Sequence, residues 1–149
     1  VVTLPSLQTE RIESCKAGVL ASIAFSMSEL GMQLFNTIVL LSQGEQLEIF
    51  TVSLGIEFLS RVAIAAISGF LFGVTYRYII RGDNNFHLKD GSVLAFGIVR
   101  GLALWEGMGI ISGQLWLVGL LFGESLFCFA LTRFFLDFAL ERKIIKPFL

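Results

Sequence analysis

Four apolar runs, each long enough to cross a lipid bilayer, constrain what this chain can fold into more than any other feature. They occupy residues 17–41, 49–80, 92–111 and 115–140. A bilayer core takes about 20 consecutive apolar residues in helical form, and each run meets or exceeds that length. The runs are continuous and rich in Phe rather than confined to one stripe, which is the pattern of a helix whose outer surface also lies in an apolar medium. Composition agrees. The chain is 55% hydrophobic with a mean hydropathy of +0.80, against about 45 to 50% apolar residues in an ordinary soluble domain. The expected fold is therefore all-α: an integral membrane four-helix bundle built from two antiparallel transmembrane hairpins, forming a single domain over residues 1–149.

The connections fit that expectation. Residues 1–12 hold Pro5 and aperiodic polar side chains and read as an N-terminal tail. The chain opens on Val1-Val2 rather than Met, as a processed or truncated terminus would. The second run is long enough that it must tilt or project beyond the lipid. Residues 82–91, from Gly82-Asp83-Asn84-Asn85 to Lys89-Asp90-Gly91, form the clearest polar loop. Ser112-Gly113-Gln114 is a turn short enough to force its flanking helices antiparallel.

Charge placement sets an orientation. Arg11, Lys16, Arg77, Arg81, Lys89, Arg142, Lys143 and Lys146 all fall at one end of the expected bundle, and the two opposite turns hold no basic residue. Lys and Arg are retained on the cytoplasmic side during insertion, so both termini are expected on the cytoplasmic or stromal side of a multi-pass protein, in a thylakoid or bacterial inner membrane. The net charge of −1 gives no footprint for nucleic acid.

Ionisable residues inside the runs are the candidate site. Such groups cost about 2.5 to 3.5 kcal/mol each on insertion scales and so face protein or water. The expected buried charge cluster is Glu29, Glu57, Arg61, Arg100 and Glu106, with Glu124, Arg133 and Asp137 in the fourth run. Ser22, Ser26, Glu29, Gln33 and Asn36 alternate in steps of four and three, sharing one helix face. At about 1.5 Å rise per residue, Arg61 lies as far below Ile49 as Glu29 lies below Leu41. The expectation is a cluster of Glu29, Arg61 and Glu57 inside the first hairpin, with Arg133 and Asp137 pairing near the basic end.

Small residues mark the expected packing faces. Ala65, Gly69 and Gly73 step by four in the second run; Gly97, Gly101, Gly109 and Gly113 do so in the third, interrupted by Trp105. Gly119 and Gly123 repeat the pattern in the fourth. Such ladders let helix backbones approach closely.

Chemistry is harder to find. Cys15 and Cys128 lack metal or disulfide spacing, and a lone His87 in the polar loop cannot build a histidine-rich metal or haem site. No hydrolase, zinc-protease or dinucleotide signature occurs, so the chain reads as a non-enzyme. The stretch Glu57-Phe-Leu-Ser-Arg61-Val-Ala-Ile resembles the chlorophyll-binding helix of the light-harvesting family, in which Glu and Arg precede a small-residue run. That resemblance implies pigment binding. The family separates Glu from Arg by five positions, whereas the separation of four here suits a pair within one helix. No cofactor is predicted, and chlorophyll or lipid is the class left open.

The expected role is a non-catalytic accessory, assembly or scaffold subunit of a larger membrane complex. A likeness in texture to small Phe-rich proteins of cyanobacterial and plastid membranes names a photosynthetic complex as one host. The expected partners are the lipid bilayer and other membrane subunits, with a homo-oligomer as a further form. The alternative is a small oligomeric transporter, or a proton or cation conductor using buried glutamates.

Overall fold

The computed structural model describes residues 6–42, 55–81, 85–107 and 115–148, which form four α-helices. These are α1 (Leu7–Ser42), α2 (Ile56–Ile80), α3 (Phe86–Gly107) and α4 (Leu115–Glu141). Helices α1, α2 and α4 contain stretches long and apolar enough to cross a membrane, Leu7–Val39, Phe58–Ile80 and Val118–Glu141; α3 is not among them over its described residues. Lys89, Asp90, Arg100 and Glu106 dilute its hydropathy.

Two boundaries differ from the sequence expectation, each because of a cap. The Ser6 hydroxyl accepts the Thr9 amide at 3.3 Å, satisfying one of the free donors at a helix start. Residues 7–12, expected in a tail, therefore belong to α1. The Asn85 side-chain oxygen accepts the His87 amide at 3.0 Å and opens α3 inside the expected 82–91 loop, so His87 is helical. Residues 43–54 and 108–114, with the start of the second expected span and the turn at 112–114, lie outside the described residues.

Successive helices run antiparallel, as residue pairing shows. Gly69 meets Ala21 and Phe25 while Gly73 meets Ala17, so α2 descends as α1 rises. Gly97 meets Leu126 and Gly101 meets Phe122, giving α3 and α4 the same relation. Helix α4 also packs on α1, and α2 on α3, whereas α1 and α3 share no backbone contact among the described residues. The ring order is thus α1, α2, α3, α4, with α1 and α3 on a diagonal.

The core is an aromatic layer with one ring from each helix. Phe25 and Phe129 lie 4.4 Å apart by ring centroid, Phe72 and Phe129 5.0 Å, Phe72 and Phe96 5.3 Å, and Phe96 and Phe129 5.7 Å. Tilted and edge-on geometries of this kind add about 0.5–1.5 kcal/mol per pair beyond burial. The outside is equally greasy: Leu34, Val99 and Phe134 are 66%, 67% and 71% exposed.

Helix α4 ends in a Schellman turn. The Ile144 amide donates to the Ala139 carbonyl at 2.9 Å and Lys143 to Leu140 at 3.1 Å, with Lys143 in the left-handed region at φ 57°. The turn sends residues 144–148 back over the end of the bundle, where Ile145 is 1% exposed.

A methyl group built on Gly73 would lie 2.5 Å from both the Ala17 carbonyl oxygen and the Ala21 Cβ, whereas one on Gly123 would meet nothing within 4 Å. Gly73→Ala should therefore cost about 1–3 kcal/mol by forcing α1 and α2 apart, and Gly123→Ala should stay within about 0.5 kcal/mol of the parent. Thermal unfolding in detergent distinguishes the two.

Candidate functional site

The polar face of α1 turns inward and is answered from across the bundle. Arg100 on α3 donates through one guanidinium nitrogen to both carboxylate oxygens of Glu29, at 2.6 and 2.7 Å. Its second terminal nitrogen reaches the Ser68 hydroxyl on α2 at 3.1 Å, and its plane lies over the Phe25 ring at 5.1 Å. Side-chain exposures of 10% for Arg100 and 21% for Glu29 place the pair largely out of solvent. Long side chains thus bridge the diagonal that the backbones leave open. One turn or two further along α1, the Asn36 amide donates to Glu124 on α4. Both acids receive donors from another helix.

Arg61 was expected to neutralise Glu29 and does not. It is exposed, and with Glu29, Ser26 and Gln33 it borders a cavity of about 10 Å³, room for roughly one water. The reason is helical drift. A step of four residues advances about 400°, so a row of such steps turns by about 40° each time. Gly69 and Gly73 face α1, and Arg61, two and three steps earlier, has rotated off that face. Glu106 is also exposed, outside the buried cluster. The Glu57 side chain, Gly109 and Gly113 lie outside the described residues. Of the expected packing positions, Ala65, Gly69, Gly73, Gly97 and Gly101 are buried, while Gly123 and Gly119 face open space.

A second assembly, which the sequence reading took for a boundary marker, closes the basic end. Arg77 is 2% exposed. Its guanidinium donates to the Glu10 carboxylate at 2.5 Å, the Glu10 carbonyl at 3.1 Å, the Ser14 hydroxyl at 2.7 Å and the Lys146 carbonyl at 2.9 Å. Glu13 accepts from Lys16 at 2.8 Å and from the Lys146 amide at 3.1 Å. One cation therefore fastens α2 to the start of α1 and to the returning C-terminal segment. Its position one step beyond Gly73 on the α1-facing row was the available signal.

The third assembly joins α2, α3 and α4 at the same end. Tyr76 donates to Asp137 at 2.7 Å, Lys89 donates to the same oxygen at 3.1 Å, and Arg133 lies 3.7 Å from the other. Arg133 also pairs with Asp90. The expected i,i+4 pair of Arg133 and Asp137 is present as one edge of this network. Among the described residues no cluster of His, Cys, Asp and Glu could hold a metal ion.

No protein-family model, curated protein or solved structure is significantly similar to the chain.

Two measurements follow from these geometries. Glu29→Ala leaves Arg100, which cannot shed its charge, without its anion, and should cost about 3–5 kcal/mol; adding Arg100→Ala should recover part of that loss, read as a double-mutant cycle in thermal unfolding. Arg77→Ala should free residues 142–148 from the bundle, and limited proteolysis should cut that segment several-fold faster than in the parent.

Proposed function

We propose that the chain is a multi-pass integral membrane protein, two antiparallel transmembrane hairpins forming one bundle, that serves as a non-catalytic accessory, assembly or scaffold subunit of a larger membrane complex. The observation that carries this reading is the contrast between inside and outside. Glu29, Glu124, Arg77 and Asp137 are each engaged by partners within the chain, and the cavity beside Glu29 holds about 10 Å³. Chemistry at an active centre needs an accessible polar group, and a conducting path needs a continuous one. Outer faces rich in Leu, Ile and Phe suit lipid and neighbouring helices instead.

In this reading α3 crosses the membrane with the others. It packs between α2 and α4, its deepest cation is neutralised by Glu29, and Leu94, Ile98, Val99 and Leu102 cover its outer side. Both termini lie at the basic end, which the retention of Lys and Arg assigns to the cytoplasmic or stromal side. A thylakoid membrane, and a photosynthetic complex within it, is one host to test.

A second reading, a small oligomeric proton or cation conductor, draws on the grouping of Glu29, Arg61, Gln33 and Ser26 beside one small cavity that Leu30, Val62 and Ala65 also line. The two readings separate in one experiment. Native electrophoresis from mild detergent should place the chain in a stoichiometric complex with other subunits, and Glu29→Gln should lower the amount of that complex. A self-oligomer in which Glu29→Gln abolishes ion flux while assembly is unchanged overturns the accessory reading in favour of the conductor.

A further inference from the structure

Between α1 and α4 the outer surface is not a smooth helical flank. Two apolar hollows of about 570 and 590 Å³ lie end to end along α1, sharing Leu20, Ile23 and Ile144 as their common wall. Each matches the volume of a small-molecule site. Together they form one groove, and it opens outward: Ile23 is 61% and Met27 66% exposed.

The groove is polarised along its length. Its far end, at Met27, Ser28 and Phe135, holds no charged residue, and the Ser28 hydroxyl is spent on the Ala24 carbonyl. Its near end is rimmed by Arg11 and Lys16, and the Arg142 guanidinium lies over the Phe138 ring at 5.0 Å. Arg142 and Lys143 are exposed beside Ile144. Glu141 is an exposed acid nearby, while Glu13 is engaged by Lys16 and the Lys146 amide. The rim is therefore net positive. From Lys16 to Ser28 the groove runs about 18 Å along the helix axis, close to the roughly 15 Å depth of one leaflet of hydrocarbon.

We propose that this groove is a binding site for an anionic diacyl phospholipid, with acyl chains lying on either side of Ile144 and the phosphate held by Arg11, Lys16 and Arg142. The inference rests on the membrane placement proposed above and adds a ligand to it. Charge complementarity selects the occupant. A hydrophobic helix of another subunit would fill the apolar end but leave Arg11 and Arg142 facing lipid headgroups unmatched, Lys16 being paired with Glu13, whereas an anionic lipid satisfies both ends, and basic pockets between membrane helices on the cytoplasmic side recognise such headgroups. The Schellman turn contributes directly: by reversing the chain at Lys143, it sets Ile144 between the two hollows and Arg142 over one of them.

Native mass spectrometry of the 149-residue chain in mild detergent, incubated with equal amounts of phosphatidylglycerol and phosphatidylcholine, tests the site. The chain should retain phosphatidylglycerol preferentially. Arg11→Gln and Arg142→Gln should each lower that retention roughly five-fold with phosphatidylcholine adducts unchanged, and Ile23→Trp, which fills the waist of the groove, should reduce both lipids. Equal retention of the two lipids by the unaltered chain overturns the proposal, and so does a preference that survives the double Arg11→Gln/Arg142→Gln substitution. Cross-linking of Cys15, which lines the groove, to a partner protein in native membranes would also overturn it by making this face a helix-docking surface. Flotation with vesicles of either lipid isolates the premise: a chain that floats keeps its membrane placement, so that equal retention in the mass spectra then removes the site alone, and a chain that does not float loses both.

Discussion

The bidentate contact between Arg100 and Glu29 is the interaction on which the rest of the bundle depends. It spans the one pair of helices whose backbones never meet, and it does so where water is largely excluded. A charged hydrogen bond in such surroundings is strong when made and expensive when broken. Because both partners project into the same interior, α1 and α3 must hold the rotations that aim them there. The small residues then follow: Gly69 and Gly73 admit α1 to α2, and Gly97 and Gly101 admit α4 to α3, drawing the ring tight enough for the side chains to reach across.

Polar and apolar contacts are layered along the bundle axis. Asn36 with Glu124 and Glu29 with Arg100 lie on one side of the four-ring layer of Phe25, Phe72, Phe96 and Phe129, and the networks around Arg77 and Asp137 lie on the other. The aromatic layer supplies burial without direction. The polar layers supply direction with little net stabilisation, since an interhelical hydrogen bond in lipid averages only about 0.6 kcal/mol. Register along each helix comes from the second, cohesion from the first.

Much of this was legible in the residues. The fourth run, 115–140, agrees with α4 (Leu115–Glu141) because no proline interrupts it, its three charges are widely spaced, and it ends at a cluster of charges. Ala65, Gly69 and Gly73 could be placed on a close packing face from spacing alone. The partner of Glu29 could not. Counting rise per residue fixes depth but not azimuth, so it set Arg61 level with Glu29 without showing that their faces meet, and the order of helices around the ring, which brings Arg100 there instead, leaves no mark in a single sequence. The capped start at Asn85 was hidden for a different reason: residues 86–91 have loop composition, and the cap acts together with the pairing of Lys89 and Asp90 to α4, which only the fold supplies. Arg77 was read only as a mark of the basic end, where it does lie; its enclosure by Glu10, Ser14 and the returning chain depends on tertiary contacts that its place in the sequence does not show.

That enclosure carries a consequence for how the molecule is made. When Arg77 is synthesised its α1 partners Glu10 and Ser14 already exist, yet the Lys146 carbonyl that accepts from its Nε comes 69 residues later. The first hairpin therefore emerges with one guanidinium donor unmatched, and the segment that follows α4 relieves it. A polypeptide that stops short of Lys146 retains that mismatch at the basic end of the bundle, a chemical sign that the segment after α4 has yet to arrive.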